Sequence, residues 1–419
     1  MSRQHGIAIV GGGVIGLTMA YYLRKAGEDV TVFDASGFGM ACSHGNGGWI
    51  CPVHAAPIAA PGVVGYTLKS LGKPKSPIYI RPPLELGFYT WAWRFWRRCN
   101  QNSWRHGIDA LAALNQRTFA LVDELAEDGV PFEMYRGGNL HVCRSTDEAA
   151  TSLGSFAPMR QYGYQVPEGI LPGDALREME PVLSKTVTAG FLLPEERHVN
   201  PVSLCNGLVR KLKELGVELH SGTEVEGFDV SARRITAVRT TAGNWPIISI
   251  VLAPGAQLRQ LAKHLGVNIP VRAGKGYSFS VDLPVLPKHA LHLSDSKVGC
   301  SPMSGHLRVV GTMEFSGDNL RLDRRRIRGL IDAAAPYLDN WPADVTADNV
   351  DDAWVGMRPM TPDGLPVIDR IDNYDNLYVS GGHGMLGVAL APASAVALTE
   401  LITTGQRPDV LNAFSFSRL

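Results

Sequence analysis

The sequence has little charge for its length and no excess of either sign. Of its 419 residues 19% are charged, with 40 Lys and Arg balanced by 40 Asp and Glu, whereas an average domain has about 25% charged residues. A nucleic-acid-binding protein normally concentrates basic residues on one face, so this balance argues against such a partner. The 45% share of hydrophobic residues and the 45 glycines exclude a disordered or fibrous chain.

Cysteine is scarce, and its spacing does not indicate a metal. The six cysteines contain no C-x-x-C pair, so we predict neither a metal site nor a disulfide framework. Reduced thiols are typical of an intracellular protein, and we expect a cytoplasmic location.

A convincing membrane span is also missing. Residues 6–23 lack charge, but five of them are glycine, which suits a turn better than a membrane helix. No small-residue cleavage site follows this stretch, which argues against a secretory signal.

Aromatic residues make up only 8% of the chain, yet they cluster at residues 87–98. At helical spacing one face of this segment is apolar and the opposite face is basic. The apolar positions are Phe88, Trp91, Ala92, Phe95 and Trp96, and the basic ones are Arg94, Arg97 and Arg98. We favour packing of this face on the protein's own core, and the alternative is peripheral contact with the inner face of the cytoplasmic membrane.

The N-terminal segment predicts a dinucleotide site, because an apolar strand at 7–10 leads through a glycine-rich turn into a helix. The turn Gly11-Gly12-Gly13-Val14-Ile15-Gly16 fits G-x-G-x-x-G. In this motif Gly11 permits the tight turn, Gly13 lets the backbone approach a pyrophosphate, and Gly16 lets the helix pack closely on the sheet. The diphosphate then lies at the positive end of the helix dipole.

Asp34 ends the second predicted strand, 23 residues after Gly11. A carboxylate at this position accepts hydrogen bonds from a ribose and disfavours a 2′-phosphate, so NADP is the least favoured dinucleotide. The motif by itself does not separate FAD from NAD.

Further motifs resemble the FAD-dependent D-amino acid oxidase superfamily, and within it the bacterial D-amino acid dehydrogenases of the small subunit type. They are Cys42-Ser-His-Gly-Asn-Gly-Gly48, His54-Ala-Ala-Pro-Ile-Ala-Ala-Pro61, Ala253-Pro-Gly255, Lys275-Gly-Tyr277, Gly356-Met-Arg-Pro-Met-Thr-Pro-Asp-Gly364 and Gly381-Gly-His-Gly-Met-Leu-Gly387. The resemblance extends from residue 7 to the C-terminus. It implies an α/β (overall α+β) fold, with a Rossmann-like FAD-binding domain assembled from separated segments and a substrate domain with an antiparallel sheet. We predict residues 1–52, 150–262 and 351–419 for the FAD domain, and 53–149 and 263–350 for the substrate domain.

The resemblance also implies the contacts of FAD. The ADP half would be held by Gly11, Gly12, Gly13, Val14, Ile15, Gly16, Asp34, Ala35 and the backbone of Val225; the pyrophosphate and flavin by Ser43, Asn46, Gly48, Ala253 and Gly255; and the flavin pyrimidine edge by N–H groups of Gly382, His383, Gly384, Met385, Leu386 and Gly387. Backbone donors suit that edge because reduced flavin develops negative charge there. Family members with covalent FAD use a Cys before the Pro-Asp region or a His near the N-terminus. The first is missing here, so we expect non-covalent FAD, although His44 keeps the second alternative open.

Arg358 matches the arginine that this family uses to clamp the substrate carboxylate, a task suited to a planar guanidinium. Tyr277 is a second catalytic candidate, as a hydrogen-bond donor to substrate, and the alternative is a buried tyrosine with a satisfied hydroxyl. His54 and His383 are expected to supply shape and electrostatics without proton transfer. Lys275 either tunes the flavin or is a solvated surface lysine.

The resemblance implies oxidation of a D-amino acid to an imino acid by hydride transfer to FAD, with electrons passed to a quinone or another acceptor. Three alternatives stay open: an oxidase of secondary amines such as sarcosine, hydroxyproline or D-proline; an NAD-dependent enzyme; and a non-catalytic flavin-binding subunit.

Overall fold

The structure, a computed structural model, describes residues 5–70, 77–81 and 85–419. Within these ranges the chain contains both helices and strands, and runs of each follow one another. The helices are α1 Val14–Lys25, α2 Val63–Ser70, α3 Leu86–Arg98, α4 Gln101–Asn115, α5 Thr118–Glu127, α6 Thr146–Phe156, α7 Gly173–Met179, α8 Pro201–Glu214, α9 Leu258–Lys263, α10 Arg324–Ala334 and α11 Gly387–Thr404.

The strands form two large sheets and one small one. They are β1 His5–Val10, β2 Val30–Asp34, β3 Trp49–Ile50, β4 Ile78–Ile80, β5 Met134–Tyr135, β6 Asn139–Cys143, β7 Leu171–Pro172, β8 Ala189–Leu193, β9 Arg197–Val199, β10 Glu218–Ser221, β11 Val225–Ser231, β12 Arg234–Thr240, β13 Gly243–Leu252, β14 Arg272–Val281, β15 Ala290–Leu293, β16 Val298–Met303, β17 His306–Phe315, β18 Asp351–Met360, β19 Val367–Arg370 and β20 Leu377–Gly381.

The first large sheet has a parallel centre, as the strand–turn–helix pattern at the N-terminus predicts. Strand β1 lies between β2 and β13, and β10 and β20 continue the parallel pairing on either side. Parallel strands are covered on both faces, and the apolar residues of β1 are accordingly buried. Helices α1, α8 and α11 pack into one shared hydrophobic core on this sheet. The predicted α/β fold with a Rossmann-like domain is confirmed.

The second large sheet runs in the order β18-β14-β17-β16-β15-β6-β8-β7 and is mostly antiparallel. Successive side chains of a strand point to opposite faces. On one face the residues Phe279, Val309 and Leu291 belong to a hydrophobic core with α10. The other face is turned toward residues 42–54, because an added Cβ on Gly45 would lie 2.1 Å from the ring of Trp354 and one on Gly47 would lie 3.1 Å from Val310.

The domain boundaries differ from those that the sequence predicts. Strand β18, placed in the FAD domain by its motif, is an edge strand of the second sheet, where it pairs with β14. Strands β7 and β8 also belong to that sheet. Helices α4 and α5, assigned to the substrate domain, contribute to the core around α1 and α11. Which sheet or core an element belongs to is decided by pairing between segments far apart in the chain. The local hydrophobic periodicity does not predict that pairing.

Helix α11 is the helix of the described ranges that is long and apolar enough to cross a membrane, and 67% of it is buried inside the protein. It contacts α1 and α5, as a core helix does. A core helix is hydrophobic on all sides because, like a membrane-spanning helix, it has no face in contact with water.

Candidate active site

The glycine-rich turn between β1 and α1 has the close approaches that its motif predicts. Gly11 has φ +109°, and an added Cβ on Gly16 would lie 1.8 Å from the Gly11 carbonyl oxygen. By contrast, an added Cβ on Gly13 would contact only Ser43 Oγ, at 3.4 Å. The turn therefore packs tightly at Gly11 and Gly16 and leaves the backbone open at Gly13, which fits the approach of a diphosphate.

One backbone N–H group at the start of α1 has a hydrogen-bond acceptor in a side chain that is distant in the sequence. Val14 N donates to Ser43 Oγ over 3.0 Å, so the loop after β2 is tied to the helix N-terminus. The other first-turn N–H groups of a helix have no intrahelical partner and attract an anion. Ser43 thus lies at the N-terminus of α1, and its contact with the pyrophosphate stays a prediction.

Asp34 at the end of β2 turns its carboxylate back toward the glycine-rich turn. Its Oδ2 accepts from Gly12 N at 2.7 Å, and its Oδ1 accepts from Ser36 N and Gly37 N at 3.0 and 2.9 Å. Its backbone oxygen accepts from Thr223 N, which brings the start of β11 with Val225 to the same edge. The structure therefore assembles the predicted adenosine side around Asp34 and its neighbour Ala35.

Residues 382–387 link the glycine-rich turn to the strand that carries Arg358. Gly384 N donates to Pro359 O at 3.0 Å, and the position of a Cβ on Gly387 lies 4.0 Å from Ile15 Cδ1. The N-termini of α1 and α11 are therefore neighbours. Gly382 and Gly384 have φ +76° and +57°, conformations that favour glycine.

Residues 42–48 lie between α1 and the second sheet. Asn46 Oδ1 accepts from Gly48 N at 2.7 Å, and an added Cβ on Gly48 would collide with Val199 O. His44, the residue that left covalent attachment open, has its Nε2 3.2 Å from Asp352 Oδ1. On the other side Ala253 N bonds Val10 O, and Gly255, at φ +58°, has open space where a Cβ would lie.

The glycine-rich turn, residues 42–48 and residues 382–387 surround one region, the predicted FAD site. Two buried polar atoms near it have no hydrogen-bond partner among the described residues: Ser278 Oγ and His383 Nδ1. Ser278 Oγ is 2.7 Å from the position of a Cβ on Gly45. Buried polar atoms are normally paired, so this space fits a polar ligand of extended shape. The residues present fit FAD, with the diphosphate at Gly13 and the flavin toward residues 382–387.

Arg358 lies on the face of the second sheet that is turned toward residues 42–48. It pairs with Gly274, and an added Cβ on Gly276 would lie 2.2 Å from its Cζ, so two glycines make room for the guanidinium. One amino group donates to Thr312 O at 2.6 Å. Burial lowers the pKa of Arg358, and the nearby Cys42 thiol opposes this effect.

A guanidinium has five N–H donors, and the bond to Thr312 O uses one of them. Thr312 itself has φ +65°, which turns its carbonyl toward the arginine at an irregular point of β17. Arg358 is thus held in place with most of its donors available, as a carboxylate-binding arginine requires.

Tyr277 lies on the opposite face of the sheet from Arg358. It is 1% exposed, and its hydroxyl donates to Glu314 Oε2 at 3.1 Å; burial first, and then Glu314, raise its pKa. Lys275 shares that face, is buried, and donates to Asn319 Oδ1 at 2.6 Å. This geometry corrects the predicted substrate contact of Tyr277 in favour of a buried, satisfied hydroxyl, and Lys275 is neither at the flavin position nor solvated.

Of the two histidines singled out in the sequence, His383 is buried and His54 is half-buried, and both are neutral near pH 7. Burial lowers the pKa of His54 to about 4 and that of His383 to about 3. His383 Nε2 lies 3.0 Å from Ser394 Oγ. Neither ring is poised to exchange a proton at neutral pH, in line with the expected electrostatic role.

The structure also brings forward residues that the sequence analysis missed. His141 and His292 are directly paired neighbours on β6 and β15, and both contact His54. Cys51 and Glu196 lie beside the same ring. Only the spacing Cys51-x-x-His54 was visible in the sequence as a signal.

Comparisons with known proteins show the family of this chain. The family model described as "DAO: FAD dependent oxidoreductase" matches residues 6–401. D-amino acid dehydrogenase of Neisseria meningitidis serogroup C is 30% identical over 416 residues, covering 96% of this chain and 97% of that protein. The one from Granulibacter bethesdensis is 28% identical over 418 residues, covering 97% of each.

Solved structures share the fold over the full length. Glycine oxidase from Geobacillus kaustophilus has a TM-score of 0.76 at 22% identity and covers 99% of both chains. L-proline dehydrogenase from P. horikoshii has a TM-score of 0.73 at 19% identity, covering 100% of this chain and 99% of that one. By its family match and its sites, the chain belongs to the DAO family of FAD dependent oxidoreductases, as its resemblance to that superfamily predicts, and FAD is its cofactor.

Proposed function

We propose that this flavoprotein oxidises D-amino acids to imino acids, which water then hydrolyses to 2-oxo acids and ammonia. The observation that carries the proposal is Arg358, a partly buried guanidinium that donates to one carbonyl and has no second acceptor among the described residues. It lies on the sheet face that is turned toward residues 42–48. The names of the relatives that are about 30% identical over nearly the whole chain support the choice of substrate class.

In this proposal Arg358 binds the substrate carboxylate with two parallel charge-assisted hydrogen bonds. Those bonds fix the α-carbon so that its hydrogen faces the flavin, and orientation is most of what the reaction requires of the protein. The glycine-rich turn and residues 382–387 would hold FAD, which would supply the two-electron oxidant. Gly384 N and Leu386 N donate to backbone carbonyls, so the other backbone N–H groups of residues 382–387 would stabilise the negative charge that develops at the pyrimidine edge.

The side-chain end of the substrate would meet a mainly apolar neighbourhood. Residues 385 and 386 are Met and Leu, and Met385 is half-exposed, so it is free to adjust its packing. We therefore expect apolar D-amino acids to be oxidised faster than charged ones.

The first prediction concerns the visible spectrum of the purified protein. Without oxygen, D-alanine should bleach the yellow flavin absorption and L-alanine should leave it unchanged. The carboxylate bound at Arg358 and the side chain placed at Met385 and Leu386 together would fix which hand of the α-carbon turns its hydrogen to the flavin. Persistent colour with every D-amino acid, together with bleaching by sarcosine or hydroxyproline, would replace the primary amine by a secondary one. A colourless protein after addition of FAD would contradict the cofactor.

We further propose that the electrons pass to a membrane quinone and that α3 brings the protein to the inner face of the cytoplasmic membrane. Phe88 and Trp91 of the predicted apolar face are buried against the protein. Trp96, predicted on the same face, is exposed. A second, exposed stripe runs along the helix: Leu86, Tyr89, Trp93 and Trp96, 87%, 51%, 52% and 58% exposed. Arg97 lies over the ring of Trp93, and cations beside aromatic rings suit an anionic lipid interface.

Replacing Tyr89, Trp93 and Trp96 together by Ser should move the protein from anionic lipid vesicles into the soluble fraction in a flotation assay, and should slow turnover with a lipid-soluble quinone but not with a soluble dye. The matched control replaces Val230, Ile248 and Val285, which are also exposed, by Ser and should leave vesicle binding unchanged. Equal binding of both variants would leave α3 without a membrane role.

A further inference from the structure

A cluster of ligand-type side chains is buried outside the predicted contacts of FAD and substrate. Cys51 Sγ, a ring nitrogen of His54 and a carboxylate oxygen of Glu196 lie within 4.8 Å of one another. Cys51 is 4% exposed and Glu196 is 1% exposed. Thiolate, imidazole and carboxylate are the three side-chain groups that bind zinc in proteins.

A short turn places these residues together. Residues 52–54 form a 3-10 turn, closed by a hydrogen bond from His54 N to Cys51 O at 3.0 Å. In a 3-10 turn the side chains three residues apart lie on the same side, so those of Cys51 and His54 are neighbours. The turn also holds the acid, because Val53 N donates to Glu196 Oε1 at 3.0 Å.

Two atoms of the cluster are buried without a hydrogen-bond partner among the described residues: Glu196 Oε2 and His54 Nδ1. His54 Nε2 lies 2.9 Å from His141 Nε2, with the ring planes 12° apart. When Nε2 donates this bond, Nδ1 has a free lone pair, and a metal-binding histidine is normally oriented by such a bond from its other nitrogen.

The ring nitrogens that the neighbouring histidines turn toward one another already have hydrogen-bond partners. His141 contacts His54 with one nitrogen and His292 with the other, over 2.9 and 3.0 Å. Three neutral imidazoles can satisfy this chain with N–H···N bonds alone. The group that requires an additional partner is therefore the one formed by Cys51, His54 and Glu196.

Charge points in the same direction. Cys51 and Glu196 are both buried acids, and two neighbouring acids cannot both ionise in the protein interior without a cation. A divalent ion would balance one thiolate and one carboxylate, so the filled cluster would have no net charge, which is the arrangement that a buried site tolerates.

We propose that Cys51, His54 and Glu196 bind one divalent transition-metal ion of the zinc type, with His141 orienting the imidazole and the fourth position taken by water. The ion would fasten the turn at 51–54, which follows the predicted flavin contact at Gly48, to the segment that leads into β9. On the second sheet, four strand steps separate β15, which carries His292, from β18, or about 19 Å at about 4.8 Å per step. The ion would thus be structural and separate from the Arg358 site, and the proposal does not depend on the proposed substrate.

The test uses the complete flavoprotein, with zinc and cobalt as probes. After treatment with a chelator, the wild-type protein should bind about one equivalent of Zn²⁺, and Co²⁺ should give visible d–d bands beyond the flavin absorption. Glu196→Gln and Cys51→Ser should each weaken zinc binding by at least about tenfold, judged from the effect of changing groups around a metal site. Cys300→Ser, also fully buried but on the opposite face of the second sheet, is the matched control and should bind as wild type.

Absence of zinc binding by folded wild-type protein would overturn the proposal and leave a water molecule as the partner of the orphaned atoms. Equal binding by wild type and Glu196→Gln would also overturn it. Loss of binding in His292→Gln with retention in Glu196→Gln would move the ion to the three histidines. If Cys51→Ser does not fold, the cobalt spectrum of Glu196→Gln still tests the proposal. That variant keeps the Cys51 thiol and replaces the carboxylate by an amide of nearly equal size.

Discussion

Replacing Arg358 by Ala should raise the apparent KM for D-amino acids by about tenfold to a hundredfold. Charged hydrogen bonds contribute about 1.5–3 kcal/mol each, and among the described residues Arg358 donates only to Thr312 O, which leaves donors for a carboxylate. Arg358→Lys should recover only part of the loss, because an ammonium cannot make two parallel bonds to a carboxylate. Steady-state kinetics with an artificial electron acceptor measure both variants.

Two controls separate a substrate role from damage to the fold. The amide of the same D-amino acid lacks the charged carboxylate, so Arg358→Ala should hardly change its already poor turnover. Tyr277→Phe, on the opposite face of the same sheet, should stay within about twofold of wild type in KM. An unchanged KM in Arg358→Ala, or a larger effect in Tyr277→Phe, would remove Arg358 from the substrate site.

Replacing Gly16 by Ala should abolish tight FAD binding and destabilise the protein by about 3 kcal/mol or more, at the upper end of the cost of overpacking. The added Cβ would lie 1.8 Å from the Gly11 carbonyl oxygen and 3.4 Å from Ile9. The backbone atom cannot move away without opening the turn that we expect to hold the diphosphate. FAD content after gel filtration and the urea midpoint report the two effects.

Gly154 in α6 is the matched control for this substitution. An added Cβ there meets nothing within 4 Å, so Gly154→Ala should keep full FAD and stabilise its helix by about 1 kcal/mol. A Gly16→Ala protein with normal FAD content and an unchanged urea midpoint would show that the turn relaxes and does not need the close contact.

The local part of the cofactor site could be predicted from the sequence. Gly11, Gly13 and Gly16 are separated by fixed short intervals, and the conformations they require are set by neighbours within one turn. The acid at Asp34 belongs to the same unit, since a strand, a turn and a helix fix its distance from the glycines. The Asn200 cap of α8 is similar: its side chain accepts from Val202 N and Ser203 N, as expected of an asparagine before Pro at a helix start.

The face on which a strand residue lies could not be predicted in the same way. Lys275 and Tyr277 belong to a motif of the family, yet their side chains lie with Glu314 and Arg326 in a buried polar cluster behind the sheet. A shift of one residue in register turns every side chain of a strand to the other face. The pairing of β14 with β17 is irregular between Lys275 and Tyr277, and no local pattern announces that irregularity.

The cluster of Cys51, His54 and Glu196 shows the same limit for metal ligands. The spacing of the cysteines predicted no metal site, because a search of that kind finds ligands that are close in the chain. Glu196 is 142 residues beyond His54 and comes to it only because β9 pairs with β3.

By itself, the sequence determined the glycine-rich turn and its acid, because residue types at short, rigid spacings encode them. The resemblance of its further motifs to a known superfamily implied the family, the cofactor and the arginine that we expect to bind the substrate. Only the tertiary structure decided that β18 carries Arg358 in the second sheet and that Tyr277 lies on the opposite face of that sheet. It also decided that the exposed stripe of α3 differs from the predicted apolar face, and that the turn at 51–54 meets a distant glutamate. These features depend on which strands pair and in which register, and long-range pairing is set by the packing of the whole core.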